Sequence, residues 1–149
     1  MSCTKILIAM LVLFVTSHLL LAEQPSTTEP AVIAATDTES LKAAMGSQVI
    51  VEGYISKAAW SRSGRVMNIE FLDSVLLGAV FERHRAKLDE AFGGDLAAAL
   101  RDAKVRFKGK LIEYGGYVES LKGRPQIIIN DASQITILQP APPPATQQQ

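Results

Sequence analysis

The sequence predicts a mainly β fold, a small closed barrel of five strands with a helical segment between the third and the fourth strand. Residues 104–111 alternate apolar with basic side chains, which is the pattern of a half-buried strand. Residues 49–55 show a similar alternation. In both stretches a glycine, Gly53 or Gly109, occupies an apolar-facing position, which permits a bulge or a sharp bend. Two bent strands separated by a helical segment indicate a barrel.

The elements of the domain follow from local patterns. Leucine or phenylalanine recurs every fourth position from Leu88 to Leu100, as one buried helix face requires. Asp37 or Thr38 can cap a first short helix, and Gly46 suits its C-terminal end. In chain order the sequence predicts a helix before residue 46 and strands over residues 49–59, 65–71 and 76–81. A helical section over residues 82–103 follows, interrupted at Gly93 and Gly94, with Asp95 as the cap of its second helix. The fourth strand begins at residue 104, and the fifth strand carries Ile127, Ile128, Ile129, Ile135 and Ile137.

Composition divides the chain of 149 residues into four parts. Residues 1–22 resemble a signal peptide, and residues 23–35 are a Pro- and Thr-rich linker that we predict to be disordered. Residues 36–139 form the globular domain, which is long enough for a core without disulfides. Residues 140–149 are a Pro- and Gln-rich tail, also predicted to be disordered.

The N-terminal segment predicts export. Lys5 precedes an apolar run over residues 6–22, and Ala22 is a small residue in front of Glu23. An uncleaved membrane anchor is the alternative, but the run is at the short end for a span and contains polar residues at positions 16–18. We therefore expect cleavage near Ala22 and a periplasmic or extracellular protein whose mature form has no membrane segment.

Residue usage argues against most catalytic sites. Cys3, the only cysteine, and His18, one of two histidines, both lie in the segment predicted to be removed. His84 alone cannot form a His-based metal cluster, and a Ser-His-Asp triad would have to use it on a solvated helix. The sequence shows no clustered Asp/Glu motif and no Gly-rich phosphate loop. We expect a protein that is not an enzyme, with no catalytic residues, no metal and no cofactor.

Three segments of the domain resemble the bacterial OB-fold domains of the tRNA-anticodon-binding-like type: GSQVIVEGYI, VRFKGKLIEY and KGRPQIIINDASQI. The last is the most specific, and the resemblance covers about residues 41–138. It implies a five-stranded Greek-key OB barrel and a general capacity to bind oligonucleotides or oligosaccharides. Residues 115–121 look inserted between the fourth and fifth strands of this family.

OB barrels bind ligands over their second and third strands, between the loop after strand one and the loop between strands four and five. In this chain those places hold aromatic side chains beside basic ones, which suits stacked bases and phosphates, and equally sugar rings. Plainer alternatives exist, since Trp60 could pack over the barrel mouth and Arg62 and Arg65 could be solvated loop charges. The candidate ligand-binding residues are Trp60, Arg62, Arg65, Asn68, Tyr117, Lys122 and Arg124.

Arg106, Lys108 and Lys110 form a basic stripe along the fourth strand. We interpret the stripe as a solvated face that discourages edge-to-edge pairing, with a phosphate track as the alternative. The whole chain has 15 basic and 15 acidic residues, so its total charge does not demand a polyanionic partner.

The sequence thus predicts an exported, non-catalytic OB-fold module that binds single-stranded nucleic acid or an oligonucleotide. The alternative is a cell-envelope interaction protein that binds a glycan or a protein partner through the same face. The family resemblance and the aromatic and basic loops favour the first function, whereas the balanced charge and the predicted export favour the second.

Overall fold

The computed structural model describes residues 30–142. The predicted signal peptide and the greater part of the predicted linker and tail lie outside the described residues. No helix within residues 30–142 has the length and apolar character needed to cross a membrane.

Seven strands and three short α-helices make up the described part of the chain. The helices are α1 (Thr38–Ala43), α2 (Arg85–Ala91) and α3 (Leu96–Leu100), and 3-10 turns lie at Glu82–His84, Glu119–Leu121 and Ala132–Gln134. The strands are β1 (Val32–Ala34), β2 (Gln48–Trp60), β3 (Val66–Phe71), β4 (Leu77–Phe81), β5 (Lys104–Glu113), β6 (Pro125–Ile129) and β7 (Ile135–Gln139).

Five of these strands close a barrel. β2 pairs with β3, β3 with β4, β4 with β6 and β6 with β5, and β5 returns to β2. The β4–β6 pairing is parallel and the other four are antiparallel. In chain order, helices α2 and α3 come between β4 and β5, the third and fourth strands of the barrel. The predicted mainly β, five-stranded OB-fold is therefore confirmed.

The two strands predicted to be bent are the ones that turn the corners of the barrel. β2 pairs with β5 over residues 48–54 and with β3 over residues 55–60, with a register shift between Ile55 and Lys57. β5 pairs with β7 at its start and with β6 at its end, while it stays paired to β2 over residues 104–110. Each strand thereby belongs to both halves of the barrel, which requires a local bend.

Gly53 and Gly109 are required for space at these bends. A Cβ atom on Gly53 would lie 2.6 Å from the Cβ of Ala35 and 3.0 Å from the ring of Phe71. A Cβ atom on Gly109 would lie 2.8 Å from Cγ2 of Ile127. Neither glycine has a positive φ, so close approach of neighbouring side chains, and not backbone conformation, explains them.

The prediction of a disordered linker over residues 23–35 is wrong for its last residues. Val32–Ala34 form β1, which pairs in parallel with β2 at residues 50–52. The next residue, Ala35, is buried against Gly53. Three residues are too few to show a periodic pattern, so this strand could not be predicted from its own residues.

The predicted fifth strand is two strands, β6 and β7, that pair with different parts of β5. Gln134 bridges the gap between them. Its Nε2 donates to the carbonyl oxygens of Lys108 and Ile128, each at 3.1 Å. Its Oε1 accepts from the backbone N–H of Asn130 at 2.7 Å and of Asp131 at 3.1 Å. The hydrogen bonds of this side chain therefore take the place of backbone-to-backbone hydrogen bonds where β5 and β6 diverge.

The core fills the barrel and extends to the helices. Phe107 meets Phe71 edge to face, with ring centroids 5.1 Å apart. Leu88, Leu96 and Leu100 are fully buried in the same core, as their spacing predicted. Asp95 caps α3 by accepting from the backbone N–H of Ala98, and the cap of α1 is Asp37, which accepts from Ser40.

The interpretation of the basic stripe as a device against edge pairing is wrong. β5 lies inside the sheet, with β2 on one side and β6 and β7 on the other, so it has no free edge to protect. Arg106 instead forms an ion pair with Glu52, its register partner on β2, at 2.8 Å, and Lys104 contacts the same carboxylate at 2.6 Å. Hydrogen bonds from Lys104 and then Arg106 hold the pKa of Glu52 below its usual range.

Candidate ligand-binding groove

A groove of about 910 Å³ crosses the outer face of β3, β4 and β6. On β3 its lining residues Val66, Asn68 and Glu70 alternate with the buried Met67 and Ile69, because successive side chains of a strand point to opposite faces. The groove is bounded by the β2–β3 loop on one side and by the β5–β6 loop on the other. This is the position predicted for the ligand site.

The floor of the groove is mainly apolar. Strand register places its side chains in rows across the sheet, and the central row consists of Ala59, Asn68, Ala79 and Ile128. Beside it, Val66 and Phe81 are paired on one side, and Glu70 and Leu77 are paired on the other. Asn68 is thus the polar member of its row. Its side-chain amide can form hydrogen bonds to the polar edge of a planar ligand that lies on this floor.

Trp60 and the β2–β3 loop form one wall. Trp60 lines the groove but is partly buried against the core, and the guanidinium of Arg85 lies 4.6 Å from its ring centroid. Arg65 also lines the groove and is exposed. Arg62 is exposed and does not line it. Trp60 therefore packs against the core in addition to lining the groove.

Tyr117 and the β5–β6 loop form the other wall. Tyr117 has a relative exposure of 104%, so its ring contributes nothing to the core. Arg124 lines the groove, yet its guanidinium is engaged by the backbone, donating to Val75 O at 2.9 Å and to Ser74 O at 3.3 Å. Lys122 pairs with Glu119 and does not line the groove.

The structure thus brings five of the seven candidate residues into one groove. Arg62 and Lys122 are the two that it does not bring there. Ligand binding by the five, Trp60, Arg65, Asn68, Tyr117 and Arg124, stays a prediction. Sequence reasoning missed most of the apolar floor because strands such as β4, LGAVF, are apolar at every position and do not reveal which side faces out. The missed lining residues include Leu77, Phe81, Ile112, Gln126 and Ile128.

The charges of the groove nearly cancel. Its lining contains three cations, Lys57, Arg65 and Arg124, and two carboxylates, Glu70 and Glu113. Lys57 and Glu70 are 3.6 Å apart and neutralise each other in part. Among residues 30–142 no three His, Cys, Asp or Glu side chains come close enough to hold a metal ion. The groove is therefore suited to a ligand with flat or apolar surfaces and a few polar groups.

Comparison with known proteins shows the fold. No protein-family model matches the sequence, and no curated protein matches it either. An aspartyl-tRNA synthetase from Entamoeba histolytica superimposes with a TM-score of 0.54 and 13% identity, over 83% of this chain and 24% of the synthetase. The asparaginyl-tRNA synthetase of the same organism gives 0.50 and 12%, over 76% and 24%. A Leishmania major protein described as an aspartyl-tRNA synthetase gives 0.53 and 8%, over 80% and 23%.

The chain spans about a quarter of the length of these synthetases. At such low identity the likeness extends to the OB fold of one part of each enzyme and to nothing else.

Proposed function

We propose that this chain is an exported, non-catalytic OB-fold module that binds single-stranded nucleic acid or an oligonucleotide in the groove. The observation that carries the proposal is the exposed Tyr117 and Arg65 on opposite sides of an apolar floor, at the place where OB domains bind their ligands. The three solved structures compared above are tRNA synthetases, enzymes that act on an RNA. This likeness supports the proposal.

The side chains of the groove match the chemistry of a single strand. Bases stack on aromatic rings and on apolar surface, with about 1–3 kcal/mol per stacked base, and every base offers such a face. Tyr117 and Phe81 present rings along the groove, and Asn68 offers both a donor and an acceptor to a base edge. Arg65, on the rim, can pair with a phosphate.

A cell-envelope interaction protein is the second candidate. The near-neutral groove favours it, because a sugar ring stacks on aromatic side chains by its apolar face and needs no counter-charge. A protein partner could use the same apolar floor. The two candidates differ in how binding responds to salt.

A salt-dependent binding screen separates these functions. Labelled oligodeoxynucleotides and cell-wall glycans are titrated with the domain at several salt concentrations. For a single strand, log K falls by about 0.7 for each neutralised phosphate when the salt concentration rises tenfold. The affinity for a neutral glycan changes little with salt. Salt-insensitive binding of a glycan, with no oligonucleotide binding, would select the envelope function instead.

Tyr117→Ala tests the groove itself. We expect this variant to keep the melting temperature of the wild type, because the ring is fully exposed. We expect its affinity for an oligodeoxythymidine to fall roughly 5- to 150-fold, the equivalent of one lost stacking contact. Fluorescence anisotropy and thermal unfolding measure the two quantities.

Tyr54→Ala is the matched control. Tyr54 is 47% exposed on β2 and does not line the groove, so its removal should leave affinity unchanged. If Tyr117→Ala binds as tightly as the wild type, the ligand does not use this loop. A large loss of stability in Tyr117→Ala would contradict its placement on the surface.

Export is the remaining part of the proposal, and it rests on the signal-like composition of residues 1–22. We expect the protein isolated from its native host to begin at or near Glu23 and to be recovered outside the cytoplasm. N-terminal sequencing of that material is the measurement. An intact Met1 in the membrane fraction would show an anchored protein.

A further inference from the structure

A second cavity, of about 500 Å³, lies beside the groove. It opens where β5 and β6 diverge, next to the bridge made by Gln134. Ile112 and Ile128 line both the cavity and the groove, so the two spaces meet at these side chains. The remaining lining residues are Gln48, Lys108, Gly109, Lys110, Asn130, Ser133 and Gln134.

The charge of this cavity is entirely positive. Lys108 and Lys110 line it, and no carboxylate does. The two ammonium groups share the outer face of β5 because the residue between them, Gly109, faces the barrel interior. Gln48, Asn130 and Ser133 add amide and hydroxyl donors. An anion with several oxygen atoms fits this set of groups.

Lys108 and Lys110 also differ from every other lysine in residues 30–142. Five of the seven lysines in that part of the chain form ion pairs, and these two form none. The five paired lysines are Lys42, Lys57, Lys87, Lys104 and Lys122. Two unpaired cations at one cavity therefore stand out from a surface whose lysines are otherwise neutralised.

The local fold leaves the ammonium groups of Lys108 and Lys110 free to bind a ligand. Gln134 is already saturated, because its amide donates to two carbonyl groups and accepts from two backbone N–H groups. Its amide is therefore used within the fold, which leaves Lys108 and Lys110 as the charged groups that can meet an anion.

We propose that this cavity binds backbone phosphates of a single strand whose bases lie in the groove. The inference rests on the proposed function and extends the site past Ile112 and Ile128 to Lys108 and Lys110. It also accounts for the small number of cations in the groove. The bases meet the apolar floor, and the phosphates of the same strand are neutralised on β5.

The test compares two double variants with the same loss of charge. Lys108→Gln/Lys110→Gln removes the cations of the cavity. Lys42→Gln/Arg101→Gln removes two exposed cations that line neither space. Binding of an oligodeoxythymidine of about 16 nucleotides, the upper end of OB site sizes, is measured by anisotropy over a range of salt concentrations. Thermal unfolding confirms that both variants are folded.

We expect the cavity variant to bind more weakly at low salt. We also expect its slope of log K against log[salt] to be smaller in magnitude than that of the wild type by about 1.4, the value for two phosphates on a single strand. The control variant should keep the wild-type slope.

Three results would overturn the inference. Equal slopes for the cavity variant and the wild type, with the strand still bound, would leave the proposed function standing and remove the cavity from the site. Absence of any oligonucleotide binding by the wild type would overturn both. Binding of tripolyphosphate at Lys108 and Lys110, detected by NMR shifts without any strand binding, would assign a site for free phosphate in place of the strand.

Discussion

Replacing Gly53 with valine will lower the free energy of unfolding by about 3 kcal/mol, at the upper end of the usual cost of overpacking. The new Cβ would lie 2.6 Å from the Cβ of Ala35, an atom fixed to the backbone, and 3.0 Å from the ring of Phe71. Neither neighbour can turn aside without moving β1 or the core. Urea denaturation followed by circular dichroism measures the loss.

Gly115→Val is the matched control for this substitution. A Cβ on Gly115 would meet nothing within 4 Å, and the residue has no positive φ. We therefore expect a change of less than about 0.5 kcal/mol, as for most surface substitutions. Equal unfolding midpoints for Gly53→Val and the wild type would mean that the corner of β2 does not need a glycine.

Replacing Gln134 with leucine is expected to cost about 2–4 kcal/mol. The substitution keeps the approximate size of the side chain and removes four hydrogen bonds, each with a net contribution of about 1 kcal/mol. The backbone groups of Lys108, Ile128, Asn130 and Asp131 would lose their partner. Equilibrium unfolding in urea is the measurement.

A second substitution at the same position separates hydrogen bonding from packing. Gln134→Glu keeps an acceptor for Asn130 and Asp131 but places a carboxylate oxygen against the carbonyls of Lys108 and Ile128. A carboxylate has no N–H to donate to these carbonyls, so two of the four hydrogen bonds are lost. We therefore expect the variant to be less stable than the wild type at neutral pH, although the size of the side chain is almost unchanged.

The control for Gln134 is Gln139→Leu, which removes one exposed hydrogen bond to Tyr54 and should change stability little. Wild-type stability of Gln134→Glu would contradict the assigned bonding of the amide. Full stability of Gln134→Leu would show that β5 and β6 hold together without the bridge.

Local patterns predicted the order of the helices and of the five barrel strands because each pattern reports a local period. The alternation around Gly109 and the four-residue spacing of Leu88, Leu96 and Leu100 both reflect which face of an element is buried. β1 could not be predicted in this way, since its place depends on pairing with β2 and not on its own three residues. The break between β6 and β7 was missed because the isoleucines on either side gave one apolar signal.

The segment KGRPQIIINDASQI, which carried the family resemblance, can now be explained physically. Its Arg124 fixes β6 to the backbone of residues 74–75, and its Gln134 bridges β5 and β6. Asp131 caps the turn between β6 and β7 by accepting from the backbone N–H of Ser133. These side chains support the fold, so a resemblance based on them is informative about the barrel and less so about its ligand.

Candidate site residues were harder to predict than the fold. Tyr117 and Arg65 could be placed because loops in an OB barrel have known positions relative to the ligand face. Lys122 could not be excluded from sequence, since its partner Glu119 lies three residues away in a loop of unpredictable conformation. Trp60 combines both roles, and its packing makes Trp60→Ala a poor probe of binding alone.

The closure of the barrel through β2 and β5 has a consequence for how the chain folds. Partners such as Val49 and Gly109 are separated by 60 positions, and the parallel β4–β6 pairing also joins distant segments. Such non-local pairings must overcome loop-closure entropy before they are stabilised by burial, so folding on the millisecond to second scale is the rule for barrels of this kind. During synthesis, the first half of β2 lacks its partner β5 until residues 104–110 emerge. The chain spends that interval with an unpaired strand edge, the state in which β-proteins are most prone to aggregate.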